Sequence, residues 1–361
     1  MRQWIRGTTA LVAGAGLLLF AAGCGAPAPD ETPAQTAPQS LGAVRYALRT
    51  TAGMAAVTAD GTVAGRDGQY RSVGFSRDNS LIWAVDDQGG VSALETGSLL
   101  VASGRFDCGC TAVFPLHDAV VGWWAGPDRI MQADLRDPKP TVLRAVTLPE
   151  PRDPVEAGNT LTGTTLLALT DRLAVLARTE SAPGASWGYS HVYTVDTATG
   201  AVRQFGRVGT INTPLSAAVV APDGSAVAVK GYDRDNAACG VGAIYRIDLA
   251  TGRVDGTAPP LPSCSSVADL RWDTTGLAAT RLTWHRDDPS ALTGSTVWRY
   301  GPDGWTQVGD DTTLRAVTLA DGTDLRVRRT GAASPFGTLA GELNAPTNPV
   351  QRSVIDVARP Y

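Results

Sequence analysis

Thr213–Asp255 reads TPLSAAVVAPDGSAVAVKGYDRDNAACGVGAIYRIDLATGRVD, and it holds two hairpins in succession. Ala217–Pro222 and Ser225–Val229 are short β-prone runs on either side of Asp223-Gly224. Ala243–Ala250 and Arg253–Asp255 flank Thr251-Gly252 in the same way. An Asp-Gly pair between alternating apolar runs is a strong hairpin signal, because these residues tolerate the backbone of a tight turn. Four strands therefore follow one another with no helix between them.

Working outward, two kinds of hairpin alternate along the 361 residues. An inner kind, with two apolar strands, recurs at Val73–Val85, Val113–Trp124, Leu166–Ala177, Val219–Val229, Leu270–Thr280 and Val317–Val327. An outer kind, patterned apolar-x-apolar-Asp-x-x-Thr-Gly, recurs at Met54–Gly65, Val91–Ala102, Ile130–Leu143, Val192–Val202, Ile244–Val254 and Val297–Val308. The chain opens on an outer pair and finishes on an inner pair. A β-propeller closes its ring this way: first and last segments share a blade, so no sheet edge stays open. The expectation is an all-β single propeller of four-stranded blades over residues 43–361. The count gives six blades. Val44–Leu48 and Val354–Val357 are left over, and their pairing would make seven the alternative.

Two inner copies carry a family resemblance. Phe75-Ser76-Arg77-Asp78 and Ala221-Pro222-Asp223-Gly224 resemble the F-S-P-D-G repeats of TolB-type and WD-repeat-like propellers. The resemblance implies the fold and no particular activity. His117-Asp118 and Asp171-Arg172 depart from the pattern, and the Gly-His and Trp-Asp dipeptides of true WD repeats do not occur. Asp196–Gly200 and Asp248–Gly252 are similar to the hairpins of quinoprotein propellers. The docking tryptophan of that family is missing from Ala201–Phe205 and Arg253–Asp255, so no cofactor is expected.

The N-terminus reads as an address. Arg2 and Arg6 precede an apolar run, Thr8–Ala22, that is short for a membrane span. It ends in Phe20-Ala21-Ala22-Gly23-Cys24, which resembles the lipobox of bacterial lipoproteins. That resemblance implies a signal peptide over 1–23, cleavage before Cys24 and lipidation, with palmitate among the acyl groups. Residues 24–42, rich in Pro, Ala, Thr and Gln, form the expected disordered tether. The domain is then extracytoplasmic, on the outer face of the plasma membrane, bound to the membrane through its lipid. Net charge is −4, and the arginines are scattered rather than clustered, so nucleic acid is not an expected partner.

In an oxidising compartment an even set of cysteines reads as disulfides. In a four-stranded meander the tight turns a–b and c–d lie on one face, here the turn face. Loops b–c and the crossovers between blades lie on the other, the crossover face. Cys239 and Cys264 fall on the crossover face of one blade and form one expected bridge; Cys108 and Cys110, joined by Gly109, form the other. Paired CxxC spacing is absent, so no zinc site is expected.

Long connections on the crossover face are expected at Arg178–His191, Gly231–Gly242, His285–Ser295 and Thr330–Gln351. Extra chain on one side of a rigid scaffold is where binding residues collect. The candidate binding rim is Trp187, Tyr189, Tyr232, Asp233, Asp235, His285, Asp287 and Phe336. Asp233-Arg234-Asp235-Asn236 starts like a calcium loop but lacks the later glutamate and glycine, so it carries no metal assignment. GASWG around Ser186 is not G-x-S-x-G. His117, His191 and His285 sit in three different blades with no triad, so no catalytic residue is assigned. The expected role is a binding or scaffold module for a cell-envelope protein or peptide. The alternative is a propeller enzyme acting on glycans, with acids from Asp233, Asp235 and Asp287, which would have to converge in pairs.

Overall fold

The computed structural model describes residues 43–361 apart from 99, 103, 186–187, 212, 234–238, 257–263, 274, 310–311, 331–336 and 341–352. The signal segment, Cys24 and the tether lie outside the described residues, as do Trp187, Asp235 and Phe336. The described chain is all-β.

Strands β1 (Val44–Thr50), β2 (Gly53–Thr58) and β3 (Val63–Asp67) open the chain. Five four-stranded meanders follow. The first is β4 (Tyr70–Phe75), β5 (Leu81–Asp86), β6 (Gly90–Glu95) and β7 (Phe106–Asp107). The second is β8 (Phe114–Pro115), β9 (Val120–Ala125), β10 (Arg129–Asp134) and β11 (Asp137–Ala145). The third is β12 (Thr160–Leu169), β13 (Leu173–Ser181), β14 (Tyr189–Asp196) and β15 (Val202–Val208). The fourth, in the stretch quoted at the outset, is β16 (Leu215–Val220), β17 (Ala226–Asp233), β18 (Val241–Asp248) and β19 (Val254–Gly256). The fifth is β20 (Ser265–Asp273), β21 (Gly276–His285), β22 (Asp288–Gly301) and β23 (Gly304–Gln307). The chain ends in β24 (Thr313–Thr318), β25 (Asp324–Arg329), β26 (Gly337–Ala340) and β27 (Val354–Ala358).

These six sheets are the blades of a six-bladed propeller. The sixth closes the ring and is wider, in the order β24-β25-β26-β27-β1-β2-β3. The two leftover segments do pair, Leu48 opposite Val357 and Arg49 opposite Asp356. The seven-blade alternative required that pairing. Hydrogen bonding nevertheless continues through Gly337 opposite Val354, so both halves belong to one sheet.

Buried side chains fill each junction of the ring. Trp83, Phe106, Trp123 and Leu135 join the first and second meanders. Leu116, Ile130, Leu176 and Tyr193 join the second and third. Val175, Phe205, Val227 and Ile247 join the third and fourth, and Ala228, Ile244, Leu270 and Leu277 the fourth and fifth. Tyr46, Leu48, Leu314, Leu325 and Val327 fill the closing sheet, with Leu282 and Leu292 of the fifth packed against them. Phe75 and Ile82 pack on Ala47 and Met54 to complete the circle. Each large apolar side chain so buried contributes about 1.5–3 kcal/mol.

Four expectations need correction. His285–Ser295 is not a loop: β21 and β22 extend to pair His285 with Asp288. Leu282 and Leu292 reach the core of the closing sheet, which gives that extension an apolar face to bury. Arg178–His191 is shortened in the same way, with β13 running to Ser181 and β14 starting at Tyr189. Thr330–Gln351 contains the strand β26, which pairs with β25. Conversely, the outer strand expected within Val91–Ala102 shrinks to a bridge at Val101, and the edge pairing passes to Phe106–Asp107.

Candidate functional site: the braced rim and the channel mouth

On the crossover rim the structure joins Cys239 to Cys264, with Cα atoms 4.8 Å apart, and Cys108 to Cys110, with Cα atoms 5.0 Å apart. The first bridge spans 25 residues and ties the loop after β17 to the crossover entering β20. Backbone bonds brace the same corner. Cys264 N donates to Gly240 O and Trp284 N to Cys264 O. Gly240 N donates to the Tyr232 hydroxyl at 2.8 Å, and the Tyr232 and Trp284 rings stack at 6.1 Å across two sheets. Asp233 accepts from Thr210 Oγ1 at 2.9 Å. His285 and Asp287 stand together at the exposed tip of the neighbouring hairpin, where Asp287 N donates to His285 Nδ1. Tyr189 lies one sheet away, with the Arg207 guanidinium 4.0 Å above its ring.

Beside Tyr189 is a buried ionic knot that the sequence does not announce. Glu180 and His191 face each other across β13 and β14, 2.7 Å apart and only 0% and 1% exposed. Arg207 Nη2 donates to both Glu180 oxygens at 3.0 Å. Glu156 N and Asn159 Nδ2 complete the shell at 2.8 and 3.0 Å. Burial alone would push the Glu180 carboxyl up, but these four donors outweigh it and hold it at about 2. The knot pins the crossover before β12 to the blade.

The innermost strands surround a channel, and on the turn face it opens into a cavity of about 320 Å³. Its wall includes Phe75, Trp272, Arg271, Arg315, Asp356 and Tyr361. Asp269, Asp273 and Asp356 on this wall each have an arginine partner. Arg271 bonds Asp269 at 2.7 Å, Arg299 bonds Asp273 at 2.8 Å, and Arg315 lies 3.5 Å from Asp356. Gly74 stands where the Trp83 ring passes; a Cβ there would lie 2.3 Å from it, so only glycine leaves that wall intact. The chain end crosses the mouth. Tyr361 N donates to Asn79 Oδ1 at 2.8 Å, Asn79 Nδ2 returns a bond to Tyr361 O, and Arg77 lies over the Tyr361 ring.

No family model and no curated protein matches this chain. Solved structures do resemble it in fold. The oligogalacturonate lyase of Vibrio parahaemolyticus is 14% identical with a TM-score of 0.50, over 84% of each chain. A 6-phosphogluconolactonase candidate from Bacteroides uniformis is 11% identical with a TM-score of 0.49, over 87% of this chain and 98% of that one. The β-propeller domain of Cps50 from Myceliophteria thermophila is 11% identical with a TM-score of 0.44, over 83% and 98%. The likeness to the lyase is one of fold alone and leaves the chemistry open.

The structure therefore brings Tyr232, Cys239, Cys264 and Trp284 to one corner. It does not put Asp233, His285 or Asp287 on the wall of the channel cavity. Among the described residues no group of acids, histidines and cysteines is arranged to hold a metal ion. Sequence reasoning missed Trp284, Glu180 and the channel charges. Trp284 has a visible signal, an aromatic one residue before the hairpin tip. Arg315 and Asp356 have none, because β24 and β27 meet only when the ring closes, whereas Asp269 and Arg271 are neighbours on one face of β20.

Proposed function

We propose that this chain is an extracytoplasmic binding module that holds a cell-envelope protein or peptide against its crossover rim. Lipid on Cys24 tethers it to the outer face of the plasma membrane. The braced corner carries the reading. A disulfide, three backbone bonds and the Tyr232–Trp284 stack hold half-buried aromatic surface in place across two sheets. Aromatic surface that is already ordered loses little entropy on binding, which makes it good contact area. Catalysis has no observation in its favour: His191 is buried, and the carboxylates lining the channel cavity are engaged by arginines.

The test is capture from cell envelope by the tethered protein, compared with Trp284→Ala. A partner retained by the wild type and lost in the variant supports the rim, whereas equal recovery removes it. Labelling with a palmitate analogue tests the tether separately. The wild type should be marked and Cys24→Ala should not; equal labelling rules out lipidation at Cys24.

A further inference from the structure

Cys108-Gly109-Cys110 lies on the crossover face between the first and second blades, away from the corner that carries Tyr232 and Trp284. Its bridge links residues two apart, whereas Cys239–Cys264 spans 25. Span matters through a thermodynamic cycle: the stability a disulfide adds to a fold is also its added resistance to reduction once folded. A long span restricts the unfolded chain and is protected by folding. A two-residue step restricts almost nothing and gains almost no protection.

The surroundings hold both cysteines in place when the bridge opens. Before it, Phe106 and Asp107 pair with Val91 and Gly90, and Cys108 N donates to Gly89 O at 3.0 Å. After it, Cys110 is 8% exposed within the apolar cluster of Trp83 and Trp123. The Gly89 turn backs the site closely, since a Cβ there would lie 3.1 Å from Cys110 N and O. Gly109, by contrast, is exposed with φ of 59°, and no atom lies within 4 Å of where its Cβ would stand. Cys108 is half-buried, so of the two cysteines it is the one a partner reaches. Cys110 N donates to Cys108 Sγ at 3.1 Å, a bond that strengthens when that sulfur carries negative charge.

We propose that Cys108-Gly109-Cys110 is a thiol–disulfide exchange site that oxidises a pair of cysteines on a protein or peptide partner. A partner thiolate attacks Cys108 Sγ. The S–S bond breaks, and its electron pair passes to Cys110 Sγ, which takes up a proton. The partner's second thiolate then attacks the partner sulfur of the mixed disulfide, and the electron pair leaves on Cys108 Sγ, beside the Cys110 N–H. The partner gains a disulfide, and Cys108 and Cys110 become thiols carrying the two protons the partner lost, so no other oxidant takes part. The inference goes beyond the rim reading and uses neither Trp284 nor the tether.

Two measurements on the full chain test it. In graded dithiothreitol, with the free thiols alkylated and mapped by mass spectrometry, Cys108 and Cys110 should open at a reductant level about tenfold or more below that needed for Cys239–Cys264. Equal resistance, or the reverse order, overturns the proposal. The second probe is a reduced synthetic peptide with two cysteines. The wild type should oxidise about one equivalent of it, and Cys108→Ser/Cys110→Ser should oxidise about tenfold less or none. No oxidation by the wild type, or equal oxidation by both proteins, also overturns it. If the double variant does not fold, the order of reduction in the wild type decides alone.

Discussion

Arg144 and Arg203 each reach from the outer strand of one blade to carbonyls of the next. Arg144 donates to Thr197 O and Ala198 O, and Arg203 to Leu249 O and Ala250 O. The accepting turns are the two Asp-x-x-Thr-Gly hairpins, each held by its aspartate: Asp196 to Thr199 N and Asp248 to Thr251 N, both at 2.7 Å. Scattered arginines in the sequence thus include latches between blades, and their spacing follows the blade repeat. Glu180 shows a different economy. Replacing it by glutamine leaves partly exposed Arg207 and buried His191 beside an uncharged, weaker partner and should cost about 1–3 kcal/mol, measured by urea unfolding at neutral pH. Its pH dependence has a definite sign. The folded pKa, about 2, lies below the ordinary value of 4.5, so the stabilisation is present above about pH 4.5 and is lost as pH falls toward 2. Denaturation curves across that window should show a loss that the Gln variant lacks. A loss of equal size in both proteins would mean that Glu180 is not its source.

At the scale of single elements, the fourth meander was the most legible and its crossover edge the least. Asp223-Gly224 and Thr251-Gly252 announced its turns, and Gly224 and Gly252 adopt φ of 71° and 76°, where glycine is favoured. The loop between those hairpins is held by the expected Cys239–Cys264 bridge and, by contrast, by the Tyr232–Trp284 stack with the next blade, a contact that local pattern does not encode. Reducing that bridge, or changing both cysteines to serine, should destabilise by roughly 3 kcal/mol in the chain-entropy model, read as a lowered melting temperature. The Cys108–Cys110 bridge closes only a two-residue step and should contribute far less. Trp123 fills the junction of the first two meanders at 2% exposure. Trp123→Ala should cost about 3–5 kcal/mol in an unfolding titration, with the sheets otherwise retained by circular dichroism.

For the whole molecule, closure is the decisive contact. β27 pairs with β1, and the final residues clasp Asn79 through Tyr361 while Arg359 bonds Thr318 O. Removing residues 354–361 leaves the β1 edge unpaired and breaks the ring at one junction. The shortened protein should melt at lower temperature, over a broader range, and associate in size-exclusion chromatography through its open edge. Unchanged melting and a monomeric profile would show that closure is not needed for stability. Fold class, repeat order and the use of both chain ends were readable because period-two hydrophobic alternation and turn chemistry are local properties. The pairing of Val44–Leu48 with Val354–Val357 was readable only as an option, since nothing local tells a strand which distant edge it will meet. The sequence by itself determined an all-β ring of hairpin pairs and the cysteines that bridge it. Only the tertiary structure decided that the two ends fuse into one wide sheet, that Trp284 stacks on Tyr232, and that Arg315 and Asp356 meet on the wall of the channel cavity. Those are contacts between residues far apart in the chain, and they exist only once the ring has closed.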